Sequence, residues 1–275
     1  MKETKKIAVY GKGGVGKSVV ATNLSACLAG LGNKVIHIGC DPKSDSAVRL
    51  MEGNVRPRTV LEVLGDELSP ESADQVINRG RLGIDLCESG GPPAGLGCGG
   101  RGVARTLEYF DDVELLSSGL YDIAVFDVLG DVVCGGFAAP LRKGFGDRVF
   151  IVVSEEPMAM YAANNIAQAL LVYRRNGVVL GGLIGNAKDD SDQSRQILED
   201  FASRLSTRLV GWIPRDRAVL TAERKRRTVV EYDPQAPASL AFTRLADAVL
   251  ALGTEDSPPP TPMEPEEFFA YLEGL

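Results

Sequence analysis

Eight consecutive residues, Gly11-Lys12-Gly13-Gly14-Val15-Gly16-Lys17-Ser18, fit the pattern G-x-x-x-x-G-K-[ST] without a mismatch. Glycines let the backbone approach a phosphate. The amides that open the following helix donate to it, and the helix dipole adds positive potential. Lys17 would reach the β- and γ-phosphates, and Ser18 would hold Mg²⁺. The same glycines also spell G-x-G-x-x-G, the dinucleotide fingerprint, with Asp41 as a candidate ribose acid. Lys17-Ser18 argues for a nucleoside triphosphate instead, because a dinucleotide site has no use for that pair. Asp127 closes the apolar run Tyr121–Phe126. It fits a Walker B acid that acts on Mg²⁺ through water, although an aspartate there also reads as a turn or helix cap. Asp41, Asp45 and Asp131 fall on loops at the same expected sheet edge. Any of them could orient an attacking water, and each alone also reads as a turn former.

Two cysteines form a second signal. Cys98 and Cys134 sit in glycine-flanked loops, Gly97-Cys98-Gly99-Gly100 and Val133-Cys134-Gly135-Gly136. A structural cysteine is usually a small apolar group inside an element. Neighbouring glycines instead keep the backbone close to whatever the sulfur binds, with amides free to hydrogen-bond it. An iron–sulfur cluster needs four thiolates, and amide donors tune its potential. One chain offers two such cysteines, so two chains related by a two-fold axis would supply four. Cys27, Cys40 and Cys87 fall in a helix or at strand ends and read as core residues. His37, a lone histidine on a strand, reads as a satisfied core residue, and Trp212 as packing. The run Arg224-Lys225-Arg226-Arg227 reads as a solvated helix face.

The elements that must position these groups alternate between strand and helix, which implies an α/β protein with a P-loop NTPase fold. The central sheet would be mostly parallel, with helices on both faces. Strands are expected at Ile7–Tyr10, Lys34–Gly39, Gly83–Cys87, Tyr121–Asp127, Arg148–Ser154, Val179–Asn186 and Leu209–Ile213. Helices are expected at Val19–Leu31, Thr59–Leu64, Ser72–Asn78, Val103–Phe110, Met158–Arg174, Ser191–Leu205 and Ala238–Leu252. The 275 residues, 44% hydrophobic and 24% charged, suffice for one sizeable domain, taken as residues 1–253. Residues 254–275 read as a proline-rich linker, Ser257–Pro262, and a short tail that either docks as a helix or frays. A net charge of −7 argues against general nucleic-acid binding. No apolar run approaches a membrane span, and the N-terminus runs straight into the first strand without a signal peptide. Five cysteines under those conditions suggest reduced thiols or metal ligands in a cytoplasmic protein.

With these stretches in view, the chain closely resembles the nitrogenase iron protein (dinitrogenase reductase) family. The resemblance is carried by residues 10–18, Gly39-Cys40-Asp41-Pro42-Lys43, Glu88–Pro92, Gly97–Gly102, Asp127–Phe137, Met158–Ile166 and Val229–Pro234. It spans residues 7 to about 250, and the tail from Gly253 lies outside it. The resemblance implies a homodimer with one [4Fe–4S] cluster bridged by Cys98 and Cys134 of both chains, and MgATP at each P-loop. It implies that Lys12 reaches the nucleotide across the dimer. Asp41, Lys43 and Asp45 match the family's first switch. Asp127 to Cys134 matches the second, which joins nucleotide to cluster. Asn186, Pro214, Arg215, Asp216 and Glu223 match the adenine side. Arg101 matches an arginine on the partner-docking face that is ADP-ribosylated in some members. The chain departs from the family at Val19-Val20, Gly185, Arg217–Thr221 and Met51–Arg81, which bears on partner and substrate rather than on the core mechanism.

The function so implied is an ATP-dependent reductase component. It would pass low-potential electrons from the cluster to a nitrogenase or nitrogenase-like catalytic component, with a ferredoxin or flavodoxin as electron source. Relatives reduce tetrapyrroles or cleave carbon–sulfur bonds in methylthio-alkanes. Pro214-Arg215-Asp216 and Val229–Pro234 favour the nitrogenase side over the tetrapyrrole reductases. Two other classes compete. A non-redox positioning ATPase also dimerises around ATP but has no need of Cys98 and Cys134. An iron–sulfur scaffold would carry a C-x-x-C, which the chain lacks.

Overall fold

A computed structural model describes residues 3–53, 55–65, 73–92, 99–130, 138–142, 145–253, 255 and 257–275. In chain order the elements begin with β1 (Lys5–Tyr10), α1 (Lys17–Gly30), β2 (Val35–Cys40), α2 (Val60–Leu64), α3 (Ala73–Val76), β3 (Asn78–Arg79), β4 (Asp85–Glu88), α4 (Gly99–Asp112) and β5 (Ile123–Val128). They continue with β6 (Arg148–Val153), α5 (Pro157–Tyr173), β7 (Val179–Asn186), α6 (Asp192–Arg204), β8 (Leu209–Ile213), α7 (Arg217–Arg224), α8 (Val229–Tyr232), α9 (Pro237–Ala251) and α10 (Pro265–Glu273).

The strands form one sheet in the order β3-β4-β2-β5-β1-β6-β7-β8. Every pairing is parallel except β3 with β4. β2 and β5 are buried along their whole length, as near-continuous apolar strands must be when helices cover both faces of a sheet. β2, β5 and β1 are neighbours, and Asp127 is in register with both Gly39 and Val9. The loops that leave these three strands therefore emerge side by side at the carboxyl edge, where open α/β sheets bind ligands.

α1 runs beneath that edge with Val20, Ala21, Leu24 and Leu28 buried. Its polar residues are buried too. Thr22 donates to the Ser18 carbonyl at 2.6 Å, and Asn23 accepts from the Val229 amide at 2.9 Å. α1 is thus held between the sheet and the α8–α9 pair, which fixes where the P-loop opens.

Of the helix expected over Ser72–Asn78, Ser72 lies outside the described residues, the helix ends at Val76, and Asn78 belongs to β3. Asn78 accepts from the Arg58 amide at 2.9 Å, and Arg79 pairs with Asp85, so polar contacts take over where no apolar period sustains a helix. The Arg224–Arg227 run is exposed, as read, but α7 ends within it and Arg226 turns to φ 52°. The carboxyl tail docks. Phe268 is fully buried against Tyr161 and Phe201, and Asn164 and Met263 exchange two hydrogen bonds of 2.8 Å.

Candidate functional site

The P-loop lies between the end of β1 and the first turn of α1. Gly16 caps α1 at φ 98°, and a Cβ there would sit 2.3 Å from the Asn186 side-chain nitrogen. Only glycine meets both conditions. Asn186, at the end of β7, donates to the Val15 carbonyl at 2.7 Å and so braces the loop from outside. Lys17 is buried and donates to the Lys12 carbonyl at 3.3 Å, which turns its ammonium back over the loop. No side chain caps α1, so its leading amides point into the cleft.

That cleft has a volume of about 230 Å³ and is walled by the P-loop, Asp41, Lys43, Asp45, Arg49 and Asp127 to Leu129. A second cleft of about 250 Å³ shares Ser18, Asp45 and Arg49 with it and adds Val48, Glu223 and Arg226. Asp127 is buried and accepts from Ser18 and Ser46. Burial pushes its carboxyl above the ordinary value. The two hydroxyls and the Lys17 charge pull the other way. Lys43 spans Asp41 at 3.4 Å and Asp45 at 4.0 Å, and those two carboxylates raise its pKa. Lys43 and Asp45 are solvent-exposed and Asp41 is half-buried, so the contacts serve orientation more than stability.

The structure brings Gly13, Gly14, Gly16, Lys17, Ser18, Asp41, Lys43, Asp45 and Asp127 to one cleft, with Glu223 at its neighbour. The remaining adenine-side residues are otherwise engaged. Asp216 caps α7 through the Ala218 amide at 2.8 Å and also accepts from the Ala238 amide at 3.1 Å. Arg215 donates to the Lys188 carbonyl at 3.0 Å, and Pro214 lines a separate groove with Trp212. Cys98, Asp131 and Cys134 lie outside the described residues. Arg101 is exposed on the first turn of α4.

Several functional contacts were not legible in one dimension. Arg49 donates to Glu223 at 2.9 Å and closes the boundary between the two clefts. Pro42 packs against Gly91 and Gly99, where an added Cβ would come within 2.4 Å and 2.3 Å of its ring. The loop after β2 thus rests directly on the start of α4. Glu88 accepts from the Ala47 amide at 2.6 Å beneath the same loop, and burial pushes its carboxyl up to about 8. Its folded pKa lies above the unfolded value, so its contribution to stability is full below the unfolded value and is lost as pH rises through the folded value near 8. The Tm of the native protein should fall relative to that of Glu88→Gln from about pH 5 to about pH 8, by roughly 2–4 °C for each kcal/mol of linkage. Parallel Tm–pH curves for the two proteins would show that Glu88 is ionised in the native state throughout.

Fold and cleft together define a P-loop ATPase. Residues 5–275 match the family of 4Fe-4S iron sulfur cluster binding proteins, NifH/frxC family, and the chain belongs to it. The match runs through the docked tail, past the limit of the resemblance at Gly253. Among solved structures the chain is similar to the cell division ATPase MinD of Pyrococcus furiosus, with 21% identity and a TM-score of 0.73 over 92% of this chain and 100% of that one. It is similar to the septum site-determining protein MinD of Pyrococcus horikoshii, complexed with Mg-ADP, with 21% identity and a TM-score of 0.72 over 90% and 96%. Cobyrinic acid a,c-diamide synthase of Mycobacterium smegmatis, with bound ADP and magnesium, matches with 19% identity and a TM-score of 0.66 over 90% and 94%. At these identities the likeness is one of fold. No helix among the described residues is long and apolar enough to cross a membrane.

Proposed function

We propose that the protein is the ATP-dependent reductase component of a nitrogenase or nitrogenase-like enzyme, passing low-potential electrons from a [4Fe–4S] cluster shared by two chains to a separate catalytic component. One observation supports this reading within the family: the described residues that flank both cysteine loops lie at or beside the nucleotide cleft. Gly99, the residue after Cys98, packs on Pro42, the residue after Asp41. Leu129, on the segment leading to Cys134, lines the cleft itself. A positioning ATPase would have no need of two such cysteines next to these residues.

The described cysteines suit packing rather than ligation. Cys40 and Cys87 are buried with thiols pushed up by burial, and burial pushes the Cys27 thiol up to about 11. Cys98 and Cys134 remain to hold the cluster, which when bound would supply a one-electron store. Lys17, Ser18 and Asp127 would hold MgATP, with Lys12 reaching across the dimer and Asp41 or Asp131 orienting water. Asn186 and Glu223 would border the base and ribose. A change at the γ-phosphate would reach the ligand loops by two short routes, Asp127 to Cys134 along the chain and Asp41-Pro42 to Gly99 by packing. The same site suits a reductase for methylthio-alkanes or tetrapyrroles, so the catalytic component sets the substrate.

Electron delivery tests the proposal. Reduced protein with MgATP should reduce its co-purified catalytic component. Arg101→Glu should keep cluster and nucleotide binding but lose delivery, because a guanidinium beside Cys98 would pair with partner carboxylates. Normal turnover by Arg101→Glu would remove Arg101 from the docking face.

A further inference from the structure

β2 is apolar throughout except for one residue, His37, which is fully buried. Its ring bridges two elements. Nδ1 lies 2.9 Å from Ser25 Oγ on α1, and Nε2 lies 2.8 Å from Ser46 Oγ after β2. Ser46 is itself buried and donates to Asp127. The hydrogens can be counted along this chain. Ser46 has one, and it goes to the Asp127 carboxylate. His37 must therefore donate to Ser46 from Nε2, leaving the Nδ1 lone pair to accept from Ser25. Ser25 also lies 2.9 Å from the Ala21 carbonyl, which the helix already supplies with an amide, whereas the buried Nδ1 lone pair depends on Ser25, so the hydroxyl serves the imidazole.

We propose that His37 is a positioning residue for the Mg-nucleotide site. As the Nε2–H tautomer it orients Ser46, and Ser46 fixes the Asp127 carboxylate toward Ser18. One carboxylate oxygen is committed to Ser46, so the group cannot rotate away from the cation position. Ser46 also belongs to the segment that carries Asp41, Lys43 and Asp45, so the relay ties that segment to the end of β5. Burial, with a smaller push from Arg49, lowers the His37 pKa to about 3, so the ring stays neutral and the relay does not switch near neutral pH. The inference rests on Mg-nucleotide binding at the P-loop and not on the cluster.

His37 is the chain's one histidine, so the ¹⁵N spectrum of the full-length labelled protein contains a single imidazole. We expect the proton on Nε2 and a bare Nδ1, unchanged from about pH 6 to about pH 8. A proton on Nδ1 would overturn the relay. ADP affinity with Mg²⁺ and with EDTA gives the second readout. His37→Leu should weaken the Mg²⁺-dependent affinity roughly 5- to 10-fold, the scale of one lost hydrogen bond, and leave metal-free ADP binding within about two-fold. His37→Gln, whose amide can donate to Ser46, should restore it. Ser46→Ala should match His37→Leu, and the double variant should be no worse than either. If His37→Leu fails to fold, the native tautomer and Ser46→Ala decide the question. A native Mg²⁺ effect that persists in His37→Leu and Ser46→Ala would overturn the inference alone. A native protein that binds ADP no better with Mg²⁺ than without would overturn the nucleotide reading and this inference with it.

Discussion

Cys98→Ser and Cys134→Ser should each give a folded, colourless protein without iron, whereas the native dimer prepared anaerobically should carry about four irons per two chains, one cubane. A serine hydroxyl stays protonated where a thiol ionises, so each substitution removes two of the four ligands by symmetry. Cys27→Ala is the control. Cys27 lies half-buried in α1 with its thiol pushed up to about 11, so its loss should leave the iron content unchanged. Full cluster retention in either serine variant, measured by iron analysis and visible absorbance, would remove that residue from the ligand set.

Lys17→Gln should lower ATP affinity roughly 10- to 150-fold while leaving the iron content unchanged, because one charge-assisted hydrogen bond to phosphate is lost. Glutamine keeps a donor near the position from which Lys17 now reaches the Lys12 carbonyl, so the loop itself should hold. Calorimetric titration with MgATP measures the change. An affinity within about two-fold of native would mean that Lys17 does not reach the phosphates.

The strands were legible because a parallel sheet covered on both faces needs contiguous apolar runs. Val179–Asn186 and Leu209–Ile213 stand within the bounds read from sequence. The P-loop was legible because its spacing is dictated by phosphate geometry. β3 escaped because two residues held by Asn78 and an Arg79–Asp85 pair leave no apolar period. α7 escaped because its eight residues are too few to show a helical period and its start depends on the Asp216 cap. The site contacts that join distant segments were hidden for a different reason. Ser46 meets Asp127 across 81 positions and Arg49 meets Glu223 across 174, and no local pattern encodes such a pairing. His37 left one trace, a polar residue inside an otherwise apolar strand. That trace supported a satisfied core histidine, but its two serine partners appear only once α1, β2 and the following loop are assembled.

On the proposed function, the nucleotide cleft and the cysteine loops should move together. A ligand shifts a conformational equilibrium only when it favours one state, and on the proposed function the γ-phosphate with Mg²⁺ would do so by acting on Asp127 and Gly130 and, through the loop after β2, on the Pro42 contact with Gly99. The direct measurement is the rate at which an iron chelator strips the reduced native dimer, with and without MgATP. Faster stripping with MgATP is predicted, and Lys17→Gln should abolish the difference while keeping the cluster. Equal rates with and without MgATP in the native protein would contradict the coupling.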